Sequence, residues 1–200
     1  MRPNPRFRPT DWWLPVTILI VLLAAMHGGV HAAEMLRYER EAVLSGEAWR
    51  LLTGHLVHAD GSHLLWNILG LALVFALFAR EYSPGEWLAV MLASTAAIDL
   101  GFLAFEPQLE WYVGLSGVLH GFMTAGLAAW LRDRRDPLTA GIAAIFVGKL
   151  VWEHLRGPLP FTAGSLTVPV IHEAHSYGAI GGALGAMVLL ARRGRVRAPL

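Results

Sequence analysis

Cysteine is absent from the 200 residues, which removes disulfides, Cys-ligated zinc, iron–sulfur clusters and thiol catalysis together. Lysine is reduced to one residue, Lys149. Charged residues of all kinds make up 16% of the chain, against about 25% in an average soluble domain. Neither sign dominates: sixteen basic and fifteen acidic residues leave a net charge of +1. A nucleic-acid binder needs a basic excess, so that class is set aside. Internal repeats, low-complexity tracts and domain-dividing linkers are also missing, and residues 1–200 read as a single domain. What the chain has instead is 55% hydrophobic residues, with 21 glycines, eight tryptophans and nine histidines, and a mean hydropathy of +0.48. This is the composition of an all-α polytopic membrane protein.

A spanning helix needs roughly 17–25 mostly apolar residues to cross about 30 Å of hydrocarbon. Six runs meet or approach that length: Trp12–His27, Ser62–Ala79, Trp87–Phe105, Leu115–Leu131, Leu138–His154 and His172–Ala191. The first also has the form of a secretory signal, with Arg2, Arg6 and Arg8 before an apolar core and Val30-His31-Ala32 after it. Its cleavage would leave the orientation of the other five unchanged. With the N-terminus inside, Arg2, Arg6, Arg8, Arg80, Arg132, Arg134, Arg135, Arg192, Arg193, Arg195 and Arg197 fall on the inner side, and Arg37, Arg40, Arg50 and Arg156 on the outer. The positive-inside rule therefore predicts both termini in the cytoplasm. Residues 28–61 form a long outer loop with amphipathic stretches, and 155–171, with Gly157, Pro158, Pro160, Gly164 and Pro169, a second one. The inner loops Arg80–Glu86 and Arg132–Pro137 are short.

Polar side chains inside spans are costly and default to functional hypotheses. Counting 1.5 Å per residue from each inner end puts Ser116 about 22 Å up, His175 and His63 about 24 Å, and Asn67 about 18 Å. Three helices thus deliver a hydroxyl, an imidazole and an amide to one level. Serine becomes a nucleophile when a base takes its proton, and histidine is the usual base. Asparagine, histidine and backbone N–H groups are the usual oxyanion donors. Ser116 follows Gly114-Leu115 and precedes Gly117, where glycine permits close approach. Only Glu173, nearby in sequence, is an acid beside His175, so a Ser–His dyad is the simpler reading. Singly, each of these residues also fits interhelical hydrogen-bonding glue, and Gly117/Gly121, Gly178/Gly182 and Gly181/Gly185 fit small-xxx-small packing seams.

These residues resemble the rhomboid intramembrane serine proteases. Trp49-Arg50-Leu51-Leu52-Thr53, His58 and His63-Leu64-Leu65-Trp66-Asn67 look like the W-R-x-x-T…H-x-x-x-x-H-x-x-x-N pattern. Gly114-Leu115-Ser116-Gly117 resembles G-x-S-G, and Ala174-His175 with Gly178 and Gly182 resembles A-H-x-x-G-x-x-x-G. The resemblance covers about residues 45–190. It implies a six-helix rhomboid-like bundle, Ser116 as nucleophile and His175 as general base. It also implies His63, Asn67 and the Ser116 N–H as the oxyanion hole, with Gly114 and Leu115 positioning substrate. Many rhomboids carry tyrosine four residues after the serine, stacked on the histidine; here that position is His120. Gly114–Gly121 and Lys149-Leu150-Val151-Trp152-Glu153 look most like the rhombosortase branch, which is associated with Gly-Gly C-terminal sorting tails. The implied setting is the bacterial cytoplasmic membrane, with membrane-anchored protein substrates, no cofactor and a site opening to the outer face. The acyl group then goes to water, or in a sortase-like variation to a lipid-derived amine.

Lys149 and Glu153 form an i,i+4 pair in the fifth run. They either neutralise each other inside the membrane or form a polar receptor for substrate at the catalytic level. Asp99 reads as a buried cap or hydrogen-bond partner. His55, His58, His63, His172 and His175 would suggest a metal, but they lack acidic companions and a recognised spacing, so no metal is expected. A non-proteolytic rhomboid-like binding or quality-control protein would lack the serine or histidine. A histidine-based transporter would be favoured by inverted repeats.

Overall fold

The apolar runs become helices whose ends are set by local chemistry. The structure, a computed structural model, describes residues 12–134, 136–160 and 168–197, with side chains described to Arg193. Arg2, Arg6, Arg8, Arg135 and Gly164 of the sequence reading lie outside the described residues, and so do the side chains of Arg195 and Arg197. The helices are α1 (Trp13–His27), α2 (Gly29–Leu36), α3 (Arg40–Leu44), α4 (Arg50–Thr53), α5 (Gly61–Phe78), α6 (Pro84–Phe105), α7 (Ser116–Asp133), α8 (Pro137–Arg156) and α9 (Glu173–Arg197). Two short strands, β1 (Tyr38–Glu39) and β2 (Trp111–Tyr112), pair antiparallel.

Among the described residues, four helices are long and apolar enough to cross a membrane: α5, α6, α8 and α9. Two of the six expected runs fall short of that measure for physical reasons. Helix α1 has 15 residues and ends where the chain turns by 115° into α2, at a Gly28-Gly29 pair in which Gly29 takes φ +67°. Helix α7 carries three glycines, a histidine and a terminal Arg132-Asp133 pair among its 18 residues, so its mean apolarity is low. It is the innermost helix instead, with Val118, Phe122 and Ala125 completely buried.

Boundaries moved where caps were present. Helix α6 starts inside the expected inner loop because Ser83 and Glu86 form a reciprocal capping box and Pro84 occupies the first turn. Helix α8 is opened by Asp136, whose carboxylate accepts from the Thr139 N–H, and closed at Gly157 with φ +81°.

Helix α9 packs most closely on α7 and α6. Glycine makes this approach possible: a methyl group on Gly182 would fall on the Gly121 carbonyl, and one on Gly178 on the Gly117 carbonyl. Two of the expected small-residue seams therefore run between α7 and α9. Gly181 faces Ala93 and Ser94 of α6 just as tightly, whereas Gly185 meets α6 at an ordinary 3.6 Å. Beneath the seam, Phe75 and Trp87 both meet Phe122 edge-on and tilt against each other, forming an aromatic core across α5, α6 and α7. Helix α8 is different. Its buried residues are the polar Thr139 and Glu153, while Leu138, Ile145, Val147, Val151 and Leu155 point outward, as apolar side chains do when lipid is the solvent.

The segment between α1 and α5 is tied down by its polar side chains. Arg50 donates to the carbonyls of Glu34 and Arg37, and Thr53 to that of Leu36. Arg40 donates to the last carbonyls of α6, at Phe102, Leu103 and Glu106, satisfying groups that a helix end leaves open. At the opposite end, Arg134 pairs with Glu81 and Arg193 with Glu86, while Arg132 donates to the Leu190 carbonyl.

Candidate active site

Ser116 is the first residue of α7, half-buried, with its N–H free of any intrahelical acceptor. The loop before it is fixed from three sides. Gly114 N–H donates to the Gly54 carbonyl, the Tyr112 hydroxyl donates to the Gly114 carbonyl at 2.6 Å, and β2 pairs with β1. Gly114 has φ +121°, and a Cβ there would lie 2.7 Å from His63 Nε2. Both facts require glycine. Leu115 caps α7 and is fully buried.

Across the glycine seam, His175 is buried with Nε2 3.1 Å from Ser116 Oγ. Gly117 and Gly178, expected to flank the pair, are the points where the two helix backbones meet. His63 presents its Nε2 edge to Gly114, so it reaches the same loop from α5. Asn67 is buried one turn further along α5, and its amide donates to the His63 carbonyl at 2.9 Å. The Asn67 Oδ1 and His63 Nδ1 atoms have no hydrogen-bond partner among the described residues. Beside His63 lies a cavity of about 230 Å³ bordered by Trp111, Tyr112, Val113, Val170 and Ile171.

The structure corrects the expectation that His175 has no acid. Glu173 is occupied with His172 at 3.4 Å. Glu153 of α8, 1% exposed, comes within 2.9 Å of His175 Nδ1. Lys149 does pair with Glu153, and its Nζ also lies 2.7 Å from His120 Nε2. His120 stacks on His175 with ring centroids 4.0 Å apart and planes 18° apart, taking the position the resemblance gives to tyrosine.

His120, Glu153 and His175 offer three atoms close enough together to hold a metal ion. The Lys149 ammonium already occupies that space, within 3.4 Å of all three. The five histidines weighed as a metal set do not gather in this way: His55 pairs with Asp99 at 3.2 Å, and His58 lies edge-on to His63. Sequence reasoning passed over Tyr112 and Arg40. A hydroxyl-tipped aromatic two residues before the Gly-x-Ser-Gly string, and an arginine flanked by Glu39 and Glu41, were the available signals.

Several membrane-length apolar helices define a multi-pass membrane protein, in which a hydrogen-bonded serine and histidine are held where two of the helices touch. The sequence matches the rhomboid domain over residues 45–192, and the chain belongs to the rhomboid family. Members of this family are intramembrane serine proteases, hydrolases acting on membrane-protein substrates within the bilayer.

Proposed function

We propose that this protein cleaves a peptide bond in or near the transmembrane tail of membrane-anchored proteins, with Ser116 as nucleophile and His175 as general base. The observation that carries the reading is the 3.1 Å separation of Ser116 Oγ and His175 Nε2, within the reach a base needs. As Ser116 Oγ bonds to the scissile carbonyl carbon, its proton passes to His175 Nε2. His63, Asn67 and the Ser116 N–H receive the negative charge that develops on the carbonyl oxygen. His175 then gives the proton to the leaving amine as the C–N bond breaks. Water attacks the acyl ester and gives a proton to His175, which passes it to Ser116 Oγ as the acyl C–O bond breaks and the acid product leaves. Substrate backbone enters through the cavity beside His63.

Residues 1–200 act as one membrane domain in which α1 and α7 cross along with the four longer helices. Arginines gathered at the α5–α6 turn and the ends of α7 and α9 support an inner placement of that end, with Ser116 toward the outer face. His120 after the Gly-Leu-Ser-Gly string, with the Lys149–Glu153 pair, supports the rhombosortase branch. Gly-Gly sorting tails are then the substrates, at the bacterial inner membrane. A fluorophosphonate probe applied to the detergent-solubilised protein tests the assignment. Wild type is expected to label, and Ser116→Ala and His175→Ala are expected not to; equal labelling of wild type and Ser116→Ala would remove the serine from the reaction.

A further inference from the structure

Four side chains behind the nucleophile have hydrogen-bond roles that are fixed by their partners alone. A carbonyl oxygen only accepts and a lysine ammonium only donates. His120 Nδ1 lies 2.7 Å from the Ser116 carbonyl, so Nδ1 carries the proton and donates. Nε2 of the same ring must then accept, and the Lys149 ammonium is the donor that faces it. Lys149 also donates to Glu153 Oε2 at 2.5 Å. That oxygen accepts from His175 Nδ1, so His175 too carries its proton on Nδ1. The one remaining lone pair, on His175 Nε2, is the one facing Ser116 Oγ. The chain of contacts leaves Ser116 at its backbone carbonyl and returns to it at its hydroxyl.

We propose that Lys149, Glu153 and His120 are positioning residues that close a hydrogen-bond ring on Ser116, and that through Glu153 they convert the dyad into a Ser116–His175–Glu153 triad. The proposal deepens the protease reading and rests on it. Glu153 holds the imidazole in the tautomer whose Nε2 is free to take a proton and stabilises the imidazolium that forms. Lys149 has a second function that a simple counter-ion lacks. Because it donates to the same Oε2 that receives His175, it fixes that atom as an acceptor, so that with an amide at this position it would dictate which kind of atom His175 meets. His120 anchors the far side of Lys149 and supplies the flat surface against His175. The burial pattern supports the reading: on α8, where Thr139 near the start is the other buried residue, Glu153 is turned inward to 1% exposure.

The role of Lys149 separates a relay from a merely structural ion pair. In Glu153→Gln the ammonium selects the amide oxygen, keeps the NH2 away from His175 and preserves the tautomer. In Lys149→Met/Glu153→Gln the amide is free to flip and present its NH2 to Nδ1, which forces the wrong tautomer. A structural pair behaves in the opposite way, since replacing both partners by neutral groups removes the unpaired charge and restores stability.

Fluorophosphonate inactivation of the full-length protein, resolved into kinact and KI, reads the difference. Glu153→Gln is expected to lower kinact about 10- to 100-fold with KI unchanged, and the double variant about 10³- to 10⁴-fold. Recovery of kinact in the double variant, or wild-type kinact in Glu153→Gln, would overturn the ring. Should either variant lose its cooperative melt, nitrogen-15 histidine NMR of the unaltered protein decides. Both His120 and His175 must show the Nδ1–H tautomer, and an Nε2–H form at either refutes the proposal. The two readings fail separately. Wild-type labelling of Ser116→Ala sinks the protease, whereas silent Ser116→Ala beside an unaffected Glu153→Gln sinks the ring alone.

Discussion

Replacing Gly178 with alanine tests whether the glycine seam, rather than any polar residue, sets the distance between Ser116 and His175. The added Cβ would lie 2.6 Å from the Gly117 carbonyl carbon, where ordinary contacts begin at 3.4 Å. The carbonyl oxygen lies nearer still and is backbone like the carbon, so no side chain can swing aside, and α7 and α9 must part by at least about 0.8 Å at this level. Ser116 is one residue from Gly117 and His175 three from Gly178. Their 3.1 Å contact then opens to about 4 Å or more, beyond hydrogen-bond reach. A misplacement of about 1 Å can cost on the order of 10²-fold in rate, and overpacking costs about 1–3 kcal/mol of stability. The fluorophosphonate labelling rate and the melting temperature in one detergent measure both. Gly185→Ala is the control, because its methyl would meet Val90 and Ala93 at 3.6 Å and should leave both quantities unchanged. A folded Gly178→Ala protein that labels at the wild-type rate would refute the claim that backbone contact at the seam aligns the site.

Asn67→Ala should slow cleavage of a transmembrane reporter by about 10²–10³-fold, the usual cost of one oxyanion donor, and less than Ser116→Ala does. Gly114→Ala adds a side chain at φ +121° against His63; lost labelling and a lower melting temperature are expected together. Burial, reinforced by neighbouring His63 and opposed by Asp60, pushes the His58 imidazole down to about 3. Between that value and its ordinary value near 6.5, the unfolded chain binds a proton that the folded chain does not. Stability is therefore full above about pH 6.5 and falls as pH drops toward 3. Melts at pH 7.5, 5.5 and 4 should show the decline, and His58→Leu should flatten it.

Hydrophobic runs located the helices because bilayer-length apolar segments leave few alternatives, and α5, α6, α8 and α9 begin and end within a few residues of those runs, apart from the C-terminal extension of α9. The start of α6 was legible in Ser83-Pro84-Gly85-Glu86 as a capping box and was instead read as loop. Depth was legible as well: one rise per residue brings Ser116, His175 and His63 to a common level, and they meet around one loop. Helix rotation was not. Helix α8 marks one face with Lys149 and Glu153, but no single run says which neighbouring helix that face meets, so Glu153 could not be assigned to His175. Proximity in sequence pointed to Glu173, whose carboxylate is turned to His172. The seam was readable as a pattern of glycines. That it brings two backbones into contact at the nucleophile depends on which helices are neighbours, which no single run encodes.

The closed ring has a further consequence, for total charge. Its members are one ammonium, one carboxylate and two imidazoles each holding a single ring proton, and their sum is zero. In the proposed reaction, the positive charge created when the serine proton moves to His175 is matched at once by the negative charge on the substrate's oxygen. The sum stays zero through attack, collapse and deacylation. Hydrocarbon penalises an isolated ion far more heavily than a dipole of the same parts. A reaction in such a solvent proceeds by rearranging charges already present in pairs, and nothing has to be drawn in from bulk water to balance it except the water molecule that is consumed.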